Sequence, residues 1–221
     1  MRPAVALISG GKDSIYATHL ALWQGFDVRA AATVVPHPDS WILQYENVSF
    51  AGKHAEALGL PWIVRESPAG EESELNAIRS VLEDVVDRHG VKWVILGALA
   101  SEYQRIRFNY VARDLGLKVH TPLWHLEPRG YMKRLTRDGF EFIITRVAAD
   151  GLGTEWLGRR ITEENVDELI SLSEEHSFNP AGEGGEYETF VVKTPLYDLD
   201  VRGRIQGTRF VIKGVNVLDY H

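Results

Sequence analysis

Apolar residues recur along this chain in two rhythms, and the switching between them sets the expected architecture. Residues 4–9 form a short apolar run, and the spacing after it predicts a helix over 14–24 that stops at Gly25. Residues 28–35 read as a second strand, 49–58 as a helix before Gly59, and 62–65 as a third strand. Between the second strand and that helix, Pro36, His37, Pro38, Asp39 and Ser40 form a break. The 71–89 stretch carries Leu75, Ile78, Val81, Leu82, Val85 and Val86 on one face, so it predicts a long amphipathic helix ending before Gly90. Residues 91–96 predict a fourth strand, and 102–115 a helix before Gly116. Strands alternating with helices of this length imply right-handed βαβ units and a parallel sheet covered on both faces. The expected fold class is therefore α/β, a doubly wound nucleotide-binding sheet.

After about residue 122 the rhythm changes. The pattern predicts a helix over 127–138, a strand over 140–148, and a helix over 162–176 that opens on Thr162 as its cap. Two β-like stretches, 189–193 and 209–217, lie among turn residues near the end. We expect an ATP-binding domain over 1–125 and a smaller C-terminal α+β region for substrate recognition over 126–221. No internal repeat or low-complexity segment interrupts either part.

Composition narrows the chemistry. The chain has no cysteine, which removes disulfides, zinc–thiolate sites, iron–sulfur clusters, persulfide carriers and cysteine nucleophiles together. Its eight histidines form no HxxxH or HExxH spacing. The formal charge of −7 speaks against a partner held through nucleic-acid phosphates, since such binding rests on basic faces. No apolar run approaches the roughly 20 residues of a membrane span, so no membrane partner is expected. Residues 4–8 run into Gly10-Gly11-Lys12-Asp13 rather than a cleavage site, and read as a strand instead of a signal segment. A cytoplasmic location is expected.

The densest chemistry is Ser9-Gly10-Gly11-Lys12-Asp13-Ser14, placed where a strand gives way to a helix. Two glycines allow a tight turn that aims amide N–H groups at a phosphate. The helix start adds the positive end of its dipole, Lys12 a full charge, and Ser9 and Ser14 hydroxyl donors. Asp13 beside a polyanion fits a role in holding the Mg²⁺ that accompanies ATP, or in orienting the loop. The plainer alternative is a Gly-Gly turn capping a helix through Asp13 or Ser14. The hexapeptide is neither GxxxxGK[ST] nor GxGxxG. It resembles the SGGxDS signature of the PP-loop ATP pyrophosphatases, whose fold is the adenine nucleotide alpha hydrolase-like sheet. That resemblance implies cleavage of ATP between the α- and β-phosphates, with AMP transferred to a substrate oxygen and displaced by a nitrogen or sulfur nucleophile.

Further stretches narrow the family. They are Gly97-Ala98-Leu99-Ala100-Ser101-Glu102-Tyr103-Gln104-Arg105-Ile106-Arg107, then Leu115-Gly116-Leu117 and His120-Thr121-Pro122-Leu123-Trp124, then Trp156-Leu157-Gly158-Arg159. The last is Gly182-Glu183-Gly184-Gly185-Glu186-Tyr187-Glu188-Thr189-Phe190. With the loop, they resemble the diphthine–ammonia ligase (diphthamide synthetase) family, in its short archaeal-type form. The resemblance runs from the first strand to about residue 192. It implies that diphthine on translation elongation factor 2, with ATP and ammonia, gives diphthamide, AMP and pyrophosphate through an acyl-adenylate. Gln44 stands where the family more often has histidine, and no role is assigned to it.

On this reading Ser9, Gly10, Gly11, Lys12, Asp13, Ser14 and Gly97 bind ATP, with Lys12, Asp13, Glu186 and Glu188 catalytic. Tyr103, Gln104, Arg105, Glu183, Gly184, Gly185, Glu186, Tyr187 and Glu188 meet the substrate. The acidic turn suits the trimethylammonium of diphthine, which carboxylate field and aromatic face both attract. By charge alone the same turn also reads as solvated surface. Arg105 and Arg107 are open to two readings, a basic helix surface or guanidinium forks for an oxyanion. Trp124 and Trp156 read as core. Two rivals are a lysidine-type tRNA-modifying PP-loop ligase, which needs a basic RNA face, and a non-catalytic nucleotide-binding regulator of the universal-stress type, which needs no complete loop.

Overall fold

The computed structural model describes residues 1–37 and 47–218, with the side chains of all of these except Tyr103 and Gln104. Gln44 and the later part of the 36–40 break lie outside the described residues. The chain forms two compact units, Met1–Trp124 and His125–His221.

The first unit alternates strand and helix. Its order is β1 (Arg2–Leu7), α1 (Lys12–Trp23), β2 (Phe26–Val35), α2 (Gly52–Ala57), β3 (Trp62–Glu66), α3 (Glu71–His89), β4 (Trp93–Ile95), α4 (Glu102–Asp114) and β5 (Lys118–His120). All neighbouring strands pair in parallel, in the order β3-β2-β1-β4-β5. That is the doubly wound order, which reverses direction between β1 and β4. Successive strand residues face opposite sides. On one side Val5, Ala30, Ala32, Val34 and Val94 join Ile78, Val81, Leu82 and Val85 of α3 and Phe108, Val111 and Ala112 of α4. α1 packs on β1, β2 and β4, burying Ile15, Tyr16, Leu20 and Ala21. Small residues on β1 and β2, mostly alanine, let the helices lie close. Truncating one large member of this core, such as Leu82 to alanine, costs about 2–5 kcal/mol.

The second unit is a five-stranded sheet with two helices. α5 (Pro128–Arg137) begins with Pro128 and is capped by Glu127, whose carboxylate accepts from the amides of Arg129 at 2.9 Å and Gly130 at 2.7 Å. Those bonds hold the Glu127 carboxyl below its usual range. β6 (Glu141–Val147), β7 (Arg160–Ile161), α6 (Val166–Glu175), β8 (Tyr187–Lys193), β9 (Asp198–Gln206) and β10 (Arg209–Leu218) follow. The pairings are antiparallel, in the order β10-β9-β8-β6-β7.

Several boundaries depart from the sequence pattern. α1 starts at Lys12, so Lys12 and Asp13 occupy a first helical turn rather than a loop. The expected helix over 162–176 begins four residues later. Thr162 opens a turn in which its amide donates to the Asn165 side chain, and Asn165 takes the cap position. β5, β7 and β9 were not expected. The first two have only three and two residues, and β9 is largely exposed, so none carries a period-two signal. Among the described residues no helix is long and apolar enough to cross a membrane.

Two buried histidines couple this fold to pH. His19 on α1 and His54 on α2 are fully buried. The His19 Nδ1 lies 2.8 Å from the Ile15 carbonyl, to which it donates in the neutral form. Burial lowers His19 to about 4. Burial first, and then the neighbouring His19, lowers His54 to about 3. Unfolded, both titrate near an ordinary value of about 6.5. Below that value the unfolded chain binds protons that the folded chain refuses, so stability falls as pH falls. The stabilisation is complete above about pH 6.5 and is lost as pH drops toward the folded values, at up to roughly 1.4 kcal/mol per pH unit for each histidine. Melting temperature is expected to plateau above about pH 6.5 and decline steadily below it, with His54→Leu reducing the slope. An unchanged slope in that variant would show that His54 is charged in the fold.

Candidate active site

The first unit gathers its chemistry at the carboxyl ends of β1 and β4, the switch point where doubly wound sheets bind ligands. Gly10 takes φ +85°, which turns the chain off the end of β1, and Gly11 is the N-cap of α1. Ser9 and Ser14 tie the turn across itself. The Ser9 amide donates to Ser14 Oγ at 3.1 Å, the Gly11 amide donates to Ser9 Oγ at 3.3 Å, and Ser14 Oγ donates to the Gly11 carbonyl at 3.0 Å. Both serines therefore serve the shape of the loop. The helix start below them offers the outward amides and positive dipole end that suit a phosphate.

Lys12 is buried to 3% exposure, with its Nζ 3.0 and 2.9 Å from the two carboxylate oxygens of Asp13. Cation and carboxylate thus stand side by side at the helix start, and Asp13 is the only acid of the loop. Among the described residues no three or more His, Cys, Asp or Glu converge to hold a metal ion.

Gly97 follows β4 and meets this loop directly. A Cβ there would lie 2.5 Å from the Ser14 nitrogen and 2.6 and 2.7 Å from the carbonyl carbon and oxygen of Asp13. These are backbone atoms that cannot swing aside. The missing side chain therefore admits the loop itself.

Tyr103 and Gln104 lie on α4, and their side chains lie outside the described residues. Arg105 pairs with Glu102 at 2.7 Å, and its guanidinium sits 4.8 Å from the Trp124 ring centroid. Arg107 pairs with Glu71 of α3. Trp124 is half-buried, whereas Trp156 is core with Arg159 stacked over it at 4.4 Å.

The 182–189 motif lies in the second unit, as the turn leading into β8. Gly182 and Gly185 both have positive φ, and the Tyr187 ring packs against Gly182. Tyr187 is buried and donates its hydroxyl to the Pro180 carbonyl. Glu186 is tied into the turn. Its Oε1 accepts from the Asn179 amide at 3.2 Å and its Oε2 from the Gly184 amide at 2.7 Å, while its carbonyl accepts from Ala148 and Ala149. Glu188 stands directly opposite Arg146 on β6, with Arg146 Nη1 3.4 Å from its Oε1. Glu183 is half-buried.

One acid escaped the sequence reading. Glu74, in the first turn of α3, is only 3% exposed, and its Oε2 has no hydrogen-bond partner among the described residues. Its spacing was the available signal, since Glu74 stands three, four and seven residues before the buried Ala77, Ile78 and Val81.

Gly97→Ala is expected to displace the loop. Overpacking of this kind costs about 1–3 kcal/mol, and ATP affinity should fall more than stability does. Calorimetric titration beside thermal melting checks this, and unchanged ATP affinity would detach Gly97 from the site.

Comparison with known proteins places these motifs in a family. The diphthamide synthase N-terminal domain matches residues 1–119, and the diphthamide synthase C-terminal domain matches 127–214. The chain is 31% identical to the diphthine–ammonia ligase of Rattus norvegicus and 32% identical to that of Danio rerio. Each match covers 87% of this chain, with 79% of the rat protein and 83% of the fish protein. It is also 32% identical to the ligase of Schizosaccharomyces pombe, but spans only 34% of that longer protein. Among solved structures, the U34-tRNA thiolase of Methanococcus maripaludis aligns at a TM-score of 0.39 and 15% identity, over 83% of this chain and 70% of that one, too loosely to carry an argument. Between them the two matched spans take in the loop at residues 9–14, Gly97 and the 182–189 turn, and the chain belongs to the diphthamide synthase family.

Proposed function

We propose that this chain amidates the carboxylate of diphthine on translation elongation factor 2 with ammonia, using ATP and releasing AMP and pyrophosphate. The observation that carries the reading is the Ser9–Ser14 hydroxyl clasp around a glycine turn at the switch point, in a chain that belongs to this family throughout both units. A carboxylate oxygen is a poor leaving group, so ammonia does not displace it directly. Attack of that oxygen on the α-phosphorus forms an acyl-adenylate and breaks the bond to pyrophosphate. Ammonia then forms the C–N bond, and AMP departs with the electron pair of the broken C–O bond.

Each residue has a part in this scheme. Lys12 and the helix-start amides stabilise negative charge that builds on the phosphates. Asp13 would hold Mg²⁺, and its donor set fits, because an ion shared with nucleotide phosphates needs only one or two protein carboxylates. When bound, Mg²⁺ supplies neutralisation of phosphate charge. Gly97 keeps the loop seated against the sheet. In the second unit Glu186 fixes the shape of the turn, while Glu188, paired with Arg146, and Glu183 contribute the negative field that attracts the trimethylammonium group. Tyr187, buried and bonded to Pro180, supports the turn from beneath. Arg105 and Arg107 already hold glutamate partners, which favours a structural part for both.

The nucleotide products provide the first test. AMP and pyrophosphate are expected from ATP with diphthine-bearing factor and ammonium, and chromatography showing ADP as the sole product would overturn the assignment. The two glutamates provide the second. Glu188→Gln should weaken binding of the modified factor by about tenfold, since a desolvated contact to a cation is worth up to about 2 kcal/mol. Glu186→Gln should chiefly lower the melting temperature, by loosening one of its two amide contacts. ATP affinity stays near wild type in both variants, and its collapse in Glu188→Gln would assign that acid to the nucleotide.

A further inference from the structure

Glu74 is a physical anomaly in the core of the first unit. A carboxylate shut away from water normally carries several hydrogen bonds or a cationic partner, and one lacking them costs several kcal/mol. Yet Glu74 is 3% exposed, with an Oε2 that has no partner among the described residues. It occupies the helix face that points inward, heading the buried series of Ala77, Ile78, Val81, Leu82 and Val85. Its turn begins just past β3, where the Ser67 amide still pairs with the Val35 carbonyl at the end of β2. Glu74 therefore caps the apolar layer at the carboxyl end of the sheet, the end that also bears the phosphate loop. One turn earlier on the same helix, Glu71 engages Arg107 of α4.

The kind of group that such an acid receives can be worked out by elimination. Phosphate is repelled. In the scheme above the ion shared with the phosphates is held at Asp13 on the loop, and among the described residues no cluster of acids or histidines joins Glu74 to hold a metal ion away from it. A quaternary ammonium is bulky and offers no N–H donor. A small cation rich in N–H donors matches in charge and hydrogen bonding. The reaction proposed above requires such a cation, because ammonium carries no lone pair until it loses a proton.

We propose that Glu74 binds ammonium and takes its proton, so that Glu74 is the general base for the amidation step. This rests on the function proposed above. Ammonium transfers one proton to the Glu74 carboxylate, and the nitrogen lone pair so released forms the C–N bond at the acyl carbon. The C–O bond to AMP breaks and AMP leaves with its electrons. The nitrogen gives a second proton to water, and Glu74 returns its proton to solvent after product release.

Glu74→Gln tests this, since it keeps the shape and removes the charge. The variant should melt higher than wild type, because an uncompensated buried charge is gone. Its kcat/KM for ammonium should fall by about a hundredfold, the lower range for a lost general base, while ATP–pyrophosphate exchange stays near wild type. Hydroxylamine, already unprotonated at neutral pH, should be used by the variant within about twofold of the wild-type rate. An unchanged kcat/KM for ammonium would overturn the proposal, as would equal losses with ammonium and hydroxylamine. A raised KM for ATP alone would overturn it too, and would assign the acid to the amine of adenine. If wild type itself shows neither pyrophosphate exchange nor diphthamide formation, the proposed function fails before Glu74 is at issue.

Discussion

The backbone of Asp13 and Ser14 lies so close to Gly97 that no side chain fits between them. This contact joins the Ser9–Ser14 loop to β4, the strand across the point where the sheet reverses order. α1 begins immediately there, so the contact bears on the helix dipole and the Lys12–Asp13 pair, while the serine bonds hold the turn itself. A loop wedged against a central strand is held in place, which is the preorganisation that the proposed electrostatic stabilisation requires.

The sequence made the first unit legible because its signals are local and agree with one another. The periodicity of α3, the glycines after each helix and the apolar runs between them all point to one alternation. The loop was readable for the same reason, since six adjacent residues carry its turn, charge and donors. Less was legible where tertiary pairing decides. β7 has two residues and exists because Phe142 and Ile143 stand opposite it. Thr162 looks like a cap, but the Asn165 side chain holds its amide and the helix starts later. The role of Gly97 depends on a contact across more than eighty positions of chain, which no window of sequence displays.

The acids of the second motif illustrate how one composition divides into separate duties. From the sequence Glu183, Glu186 and Glu188 are three equivalent charges crowded on a turn. In the fold Glu186 accepts two amide hydrogen bonds, Glu188 faces a cross-strand arginine, and Glu183 sits half-buried. Backbone donors and a cation thus offset most of the repulsion that the motif seems to contain. Glycine at 182 and 185 makes this possible by bending the chain back so that its own amides reach the carboxylate.

The chain divides between the two units at Trp124 and His125, and among the described residues neither sheet borrows a strand from the other half. This has a consequence for synthesis. A growing chain emerges amino end first, and a unit whose strands all lie within its own span can close its core as soon as that span is free. The parallel sheet, whose non-local pairings form slowly and expose adhesive edges in the meantime, is thereby given a head start over the hairpin-rich half. By the time β8 to β10 emerge, the apolar strands of the first unit can already be out of reach of mispairing with them.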